Sequence, residues 1–178
     1  PDLSLFPEHY FLKEGVQNPV QFGNDRRTDI EEMLNIANLQ LLSFEEAKGK
    51  IEVSLLSEKP FERYWALNVC SSFGDKASAF IPLVKEISLK DAELINKVRA
   101  AEYLALIGNT DPAPVINEAL AASTDMTESW LILNTVSLLK DLKSPYSFSV
   151  NEKLFPEEFL ENRNVIERLK YINEAETE

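Results

Sequence analysis

The sequence is poor in the residues that most often carry chemistry. It holds one cysteine, Cys70, and one histidine, His9, in 178 residues. A single cysteine excludes an internal disulfide and any cysteine-rich metal site. His9, set among Pro7, Glu8 and Tyr10, reads as a surface or packing residue rather than an acid–base group or ligand. Glycine is scarce at five residues, which argues against a β-rich or dinucleotide-binding fold and leaves no cluster to cradle a phosphate. No stretch approaches 18 apolar residues, so no membrane span is expected. Positive charge is short too. Eighteen Lys and Arg against 30 Asp and Glu give a formal charge of −12 and a pI near 4.6. Nucleic-acid affinity comes largely from Lys and Arg displacing counterions, so a nucleic-acid partner is excluded as an expectation. Anionic membranes and sulfated polymers are disfavoured on the same ground. Arg26-Arg27 is the only adjacent arginine pair. The first residue is Pro, with no signal-peptide pattern, which reads as a processed chain or an excised fragment.

What is present is apolar content, 44%, enough for a core, and a repeated pattern. Pro60 to Gly74 states it: Glu62-Arg63-Tyr64-Trp65-Ala66-Leu67-Asn68, closing on Phe73-Gly74. Lys97-Val98-Arg99-Ala100-Ala101-Glu102-Tyr103-Leu104, closing on Ile107-Gly108, states it again. Setting Ala66 on Ala100 sets Gly74 on Gly108, a period of 34 residues. Leu133-Asn134 echoes Leu67-Asn68, with Lys140 in the glycine slot. Helix, short turn, helix at this period predicts stacked helical hairpins.

Along the chain, residues 1–27 read as an extended arm, with a short helical turn near Pro7 to Lys13 and turn chemistry through Gln17–Asp25. Thr28-Asp29-Ile30-Glu31 and Ser43-Phe44-Glu45-Glu46 are capping boxes. The helix after the first should bury Ile30, Met33, Leu34 and Leu41; the helix after the second, Phe44, Ala47, Ile51, Leu55 and Leu56. Pro60 suits the first position of a helix ending at Gly74. Pro82 implies a helix starting or kinking near Ala79. Asp91 caps a helix to Ile107, Asp111-Pro112 opens another to Ala122, and a third runs from about Met126 to Lys140. Ser144–Val150 is a loop. Pro156–Ala175 forms one or two short helices with Leu160, Val165, Ile166, Leu169 and Ile172 as their stripe. The expected fold class is therefore all-α: an α-solenoid of antiparallel pairs over 28–57, 60–89 and 91–122, on residues 28–178, with capping helices from about 151 and the arm 1–27.

The Arg-x-x-Ala first helix, the glycine, and Ala77-Ser78-Ala79-Phe80-Ile81-Pro82-Leu83 resemble HEAT repeats. The tetratricopeptide signature is missing. Glu62-Arg63-Tyr64-Trp65-Ala66, Lys97–Leu104 and Leu133-Asn134 also resemble the HEAT-like region that follows the catalytic domain in bacterial sulfatases of the arylsulfatase and heparan N-sulfatase type. Asn18-Pro19-Val20-Gln21-Phe22-Gly23 is similar to their connector. This resemblance implies a non-catalytic accessory domain that packs against a sulfatase catalytic domain in the same protein, in a periplasmic or secreted setting. It also implies a sulfated glycan as the parent's substrate. The sulfatase Cys/Ser-x-Pro-Ser-Arg motif does not occur, since Cys70 is followed by Ser71-Ser72-Phe73. Calcium and formylglycine are thus expected only in the parent's catalytic domain, with no cofactor, no metal and no catalytic residue in this chain. The alternative is a stand-alone HEAT-like adaptor using a concave groove.

Few residues stand out as candidates for a site. Arg63, Tyr64, Trp65, Tyr103 and Trp130 form a candidate interaction surface, weighed against packing for the aromatics and a hydrogen bond to a neighbouring turn for Arg63. Cys70 reads as a buried small hydrophobe. Glu45-Glu46 and Glu157-Glu158 sit at helix starts, where negative charge meets the positive end of the helix dipole.

Overall fold

The structure, a computed structural model, describes residues 18–124, 126–142, 145–146 and 148–174. Those residues are helical and contain no strand, as the all-α expectation required. His9 and the helical turn near Pro7 to Lys13 lie outside them. The chain divides into two units, Pro1–Val84 and Lys85–Glu178.

In the first unit, α1 (Pro19–Asp25) leads into α2 (Arg27–Ala37), a 3-10 turn (Asn38–Leu41), α3 (Phe44–Leu55), α4 (Pro60–Phe73) and a 3-10 stretch (Gly74–Phe80). The proline at the first position of α4 needs no hydrogen-bond acceptor there, which fixes the start of the helix. α4 is the hub, packed against α2 and α3. It buries Phe61, Tyr64, Ala66, Leu67, Val69 and Cys70. Phe22 of α1 and Phe61 form a small cluster with Ile30 and Met33. Phe44 meets Phe73 and Phe80 edge-on, with centroids 5.4 and 6.1 Å apart, the arrangement that ring quadrupoles favour. The Ser43 box forms. The Ser43 amide and hydroxyl both donate to Glu46 Oε2, at 3.1 and 2.5 Å.

α5 (Ile81–Lys90) crosses the division between the units, with Pro82 in its first turn. The second unit holds α6 (Leu94–Leu106), α7 (Ala113–Ala122), α8 (Met126–Asp141), a 3-10 turn (Glu152–Leu154), α9 (Glu157–Leu160) and α10 (Arg163–Asn173). α6 packs on α7 and α8, and α8 on α10. Their core joins Val98, Ile116, Leu120, Ile132, Leu133, Val136 and Leu139 to Phe155, Phe159, Val165, Leu169 and Ile172.

The 34-residue period holds at the level of single helices. α4 and α6 begin at Pro60 and Leu94, 34 positions apart. Each buried position of α4 has a buried counterpart in α6: Ile95, Val98, Ala100, Ala101, Tyr103 and Leu104. Gly74 (φ 56°) and Gly108 (φ 65°) both take positive φ. At Gly108 the amide donates to Ala105 O (2.9 Å) and the Asn109 amide to Leu104 O (2.8 Å), the Schellman ending in which two orphan carbonyls of the last turn are satisfied. Gly74 ends its helix differently. Its ψ of −131° belongs to a region open to glycine rather than to the left-handed helix, and a 3-10 stretch follows.

Several local expectations are corrected. Asn18 Oδ1 accepts from the Gln21 amide at 3.0 Å, and with proline at N1 this starts a helix over Pro19–Asp25 where turn chemistry was expected. Thr28 caps nothing: α2 starts at Arg27 and carries Thr28 in its first turn. Leu34 and Leu41 are exposed, and Ile36, Ala37 and Leu39 are buried in their place. The switch from α-helix to 3-10 turn at Asn38 shifts the phase for Leu39 and Leu41; Leu34, Ile36 and Ala37 lie upstream of it. Leu56 and Ile166 are exposed as well. Asp91 lies upstream of α6, where its Oδ1 accepts from the Glu93 amide at 2.9 Å, and α6 begins at Leu94.

The three glycines offer a direct check on this backbone. A Cβ would meet nothing within 4 Å at Gly49, Gly74 or Gly108, so only torsion decides. Gly74→Ala and Gly108→Ala should each lower stability by at least about 1 kcal/mol. Gly49→Ala, inside α3, should raise it by about 1 kcal/mol. Denaturant midpoints of the three variants measure the difference. A second check comes from the cap: its hydrogen bonds from the Ser43 hydroxyl and then the Ser43 amide hold Glu46 below its ordinary 4.5. Its stabilisation is therefore fully present above that value and disappears as pH falls through the lower folded value. The stability gap between the natural chain and Glu46→Gln should close in that acid range, as read by urea melts at a series of pH values.

Candidate functional site

Arg63, Tyr64 and Trp65 sit on successive positions of α4. Arg63 Nη1 donates to Ser57 O at 2.7 Å and to Glu58 O at 3.1 Å. It ties the turn before α4 to the helix, the structural role weighed for it from sequence. Tyr64 is 2% exposed, so it cannot meet a ligand. Trp65 stands edge-on to it, centroids 5.8 Å apart at 87°. Trp65 is half-buried, and its Nε1 is buried with no hydrogen-bond partner among the described residues. An orphaned donor costs roughly 1–3 kcal/mol. Beside this group Lys59 pairs with Glu32, and with Glu62 at 3.5 Å. The hydrogen bond from Lys59 holds the Glu32 carboxyl below the usual range.

In the second unit Tyr103 is wholly buried and serves as core. Trp130 is only half-buried. It packs at the edge of the core with the Arg168 guanidinium over its ring, 5.1 Å from the centroid. Of the five candidates, Tyr64 and Tyr103 are buried, and Arg63, Trp65 and Trp130 keep part of their surface accessible.

Sequence reading missed two surfaces. An apolar groove of about 580 Å³ in the first unit is lined by Ile36, Leu39, Leu42 and Val53 with the amides of Asn35 and Asn38. Leu42 and Val53 are exposed there. The second is a cleft of about 410 Å³ lined by Trp130 of α8 and by Asn164, Glu167, Arg168 and Tyr171 of α10. The four α10 residues fall at positions i, i+3, i+4 and i+7 of the helix, the signal by which the stripe could have been found.

Catalytic chemistry is thinly provided. Among the described residues no group of three or more His, Cys, Asp or Glu side chains could hold a metal ion. Burial pushes the Cys70 thiol up to about 12, far from the thiolate that a nucleophile needs. Glu45 and Glu46, and Glu157 and Glu158, lie in first turns, as capping predicts. One buried carboxylate does form a close charged pair. Arg99 Nη1 meets Glu102 Oε2 at 2.6 Å, and both side chains are largely withdrawn from solvent. No helix among the described residues is long and apolar enough to cross a membrane.

No protein-family model matches this chain, and no curated protein or solved structure matches it either.

Two outcomes are expected. Cys70 in the folded chain should react with a disulfide reagent no faster than the chain unfolds, with the rate compared in native buffer and in denaturant. Arg99→Ala should cost about 3 kcal/mol by removing the cation paired with the buried Glu102 carboxylate, and Arg99→Met with Glu102→Leu should recover most of that. Chemical denaturation of the single and double variants measures both.

Proposed function

We propose that this chain is a non-catalytic helical-repeat accessory domain, HEAT-like in its pairing, of a sulfatase-like sulfuric ester hydrolase. Its role is structural support and packing against the catalytic domain of the same protein. The observation that carries the repeat reading is the agreement of α4 and α6, 34 residues apart, in start position, in each position that α4 buries and in a closing glycine of positive φ. Repeats of this kind bury their faces against neighbours rather than alone. The sulfatase assignment rests on the resemblance of Glu62–Ala66 and Lys97–Leu104 to the helical region of those enzymes. The inert thiol of Cys70 supports a non-catalytic role. On this reading calcium, formylglycine and the sulfated-glycan substrate belong to the catalytic domain, and the setting is periplasmic or secreted.

The decisive test is the reading frame upstream of this segment. It should encode a Cys/Ser-x-Pro-Ser-Arg motif, and its absence there would end the sulfatase reading. The isolated chain should show no turnover of an aryl sulfate. Removing it from the parent should lower the parent's thermal stability, and unchanged stability would count against a supporting role.

A further inference from the structure

We propose that α10 is a strap that opens from the second unit as one piece, with Lys140 of α8 as its latch. This goes beyond the accessory-domain reading and does not depend on it. α10 buries three of its eleven residues, Val165, Leu169 and Ile172, where α6 buries nine of thirteen. The rest of α10 faces solvent, Ile166 and Tyr171 included. Elements with few buried apolar side chains and a solvent-facing backbone open below the free energy of global unfolding. α8 keeps its packing on α6 and α7 when α10 leaves, so opening need not dissolve the core.

The strongest polar ties gather at the C-terminal end of the helix. Lys140 Nζ donates to Tyr171 O at 2.5 Å, to Glu174 O at 2.8 Å and to Ile172 O at 3.4 Å. It also lies 4.8 Å from the centroid of the Tyr171 ring, whose hydroxyl donates to Asp141. The Asn173 carboxamide takes both sides of one peptide. Its Oδ1 accepts from the Val150 amide at 2.8 Å, and its Nδ2 donates to Val150 O at 2.9 Å. Midway, the Arg168 guanidinium lies over Trp130. At the other end Asn162 Nδ2 reaches Met126 Sδ at 3.5 Å, a weak acceptor.

One ammonium serves three carbonyls, so those bonds are made and broken together. The carbonyls lie in and just past the last turn, where no amide of the helix follows to meet them. A bond from an ionised donor is about twice as strong as a neutral one. While Lys140 is in place, the apolar stripe cannot peel from this end. Once it leaves, the carbonyls return to water and the stripe is left to hold most of the helix. A helix that merely frays loses its terminal amides first; a latched strap releases all of them at one step.

The test is amide hydrogen exchange of the full chain in native buffer, read residue by residue. The amides from Glu167 to Asn173 should share one protection factor, at least about tenfold below that of the α6 amides. Lys140→Met should lower protection across α10 about tenfold more and leave α6 unchanged. Lys140→Arg, which keeps the charge and several donors, should retain most of it. Three results would overturn the proposal. One is protection in α10 equal to that in α6, so that the helix leaves only with the whole fold. Another is a gradient that rises inward from Asn173, the mark of fraying. The third is Lys140→Met leaving α10 as it was, or lowering α6 by the same factor.

Discussion

Two helices that can touch little water set the terms for their units. The buried positions of α4, from Phe61 to Cys70, fall around the whole circumference rather than on one face, and the same positions of α6 are buried too. A helix apolar on all sides has no stable existence at a surface. Each such helix has to be covered by neighbours, and the rest of its unit is arranged to do that. α2 and α3 cover α4; α7 and α8 cover α6. Small residues make the close approach possible. Ala66, Ala100, Ala101 and Ala105 are all within 2% of complete burial, and a larger side chain at any of them would force the covering helices apart.

Burial of this extent limits which polar groups can be tolerated. α6 carries Arg99 and Glu102 one turn apart and in contact. The pair sets a carboxylate against a cation in the interior without gaining much over an apolar pair of the same size. Beyond Glu128 in its first turn, α8 buries short polar side chains that bond locally. Thr135 donates to Leu131 O, Ser137 to Leu133 O, and Ser129 to the Ser123 hydroxyl. α10 is the opposite case. Its buried set is one narrow stripe, Val165, Leu169 and Ile172, so it closes the apolar core on one side and presents polar groups on the other. Lys140 of α8 fastens its end by donating to Tyr171 O at 2.5 Å and Glu174 O at 2.8 Å, where helix carbonyls lack partners.

This contrast explains what could be read from the sequence. The helices with strong local punctuation were legible to within a residue or two: α4 between Pro60 and Gly74, α6 up to Gly108, α8 from Met126. Proline at a first position and glycine past a last one act through a single residue's torsions, so no tertiary knowledge is needed. Where two signals competed, the reading failed. Thr28 looked like a cap, but Asn18 with Pro19 had already begun helix nine residues earlier, and α1 and α2 are separated only by Arg26. The predicted stripe through Ile30, Met33 and Leu34 misses the positions that α2 buries most, Ile36 and Ala37, and the 3-10 turn changes the register only beyond them. The candidate surface fared unevenly for a related reason. Tyr64 and Tyr103 fall at buried positions of helices covered on most sides, whereas Trp65, one position on from Tyr64, keeps part of its surface accessible. The Trp130 cleft needs α8 and α10 brought together, and no spacing within one helix records that.

The charge balance bears on every surface that remains. Cations are few, and most of those described are engaged. Lys59 serves Glu32 and Glu62, Lys90 serves Glu86, Lys97 serves Glu118, Arg163 serves Glu167, and Lys170 serves Glu174. Arg63 and Lys140 are spent on backbone carbonyls. Exposed pairs of this kind add little stability each, but they neutralise the positive groups while the surplus carboxylates stay solvated. The resulting field repels anions at long range and weakens with salt. A surface balanced in this way favours contact by shape, apolar area and hydrogen bonding over contact by charge.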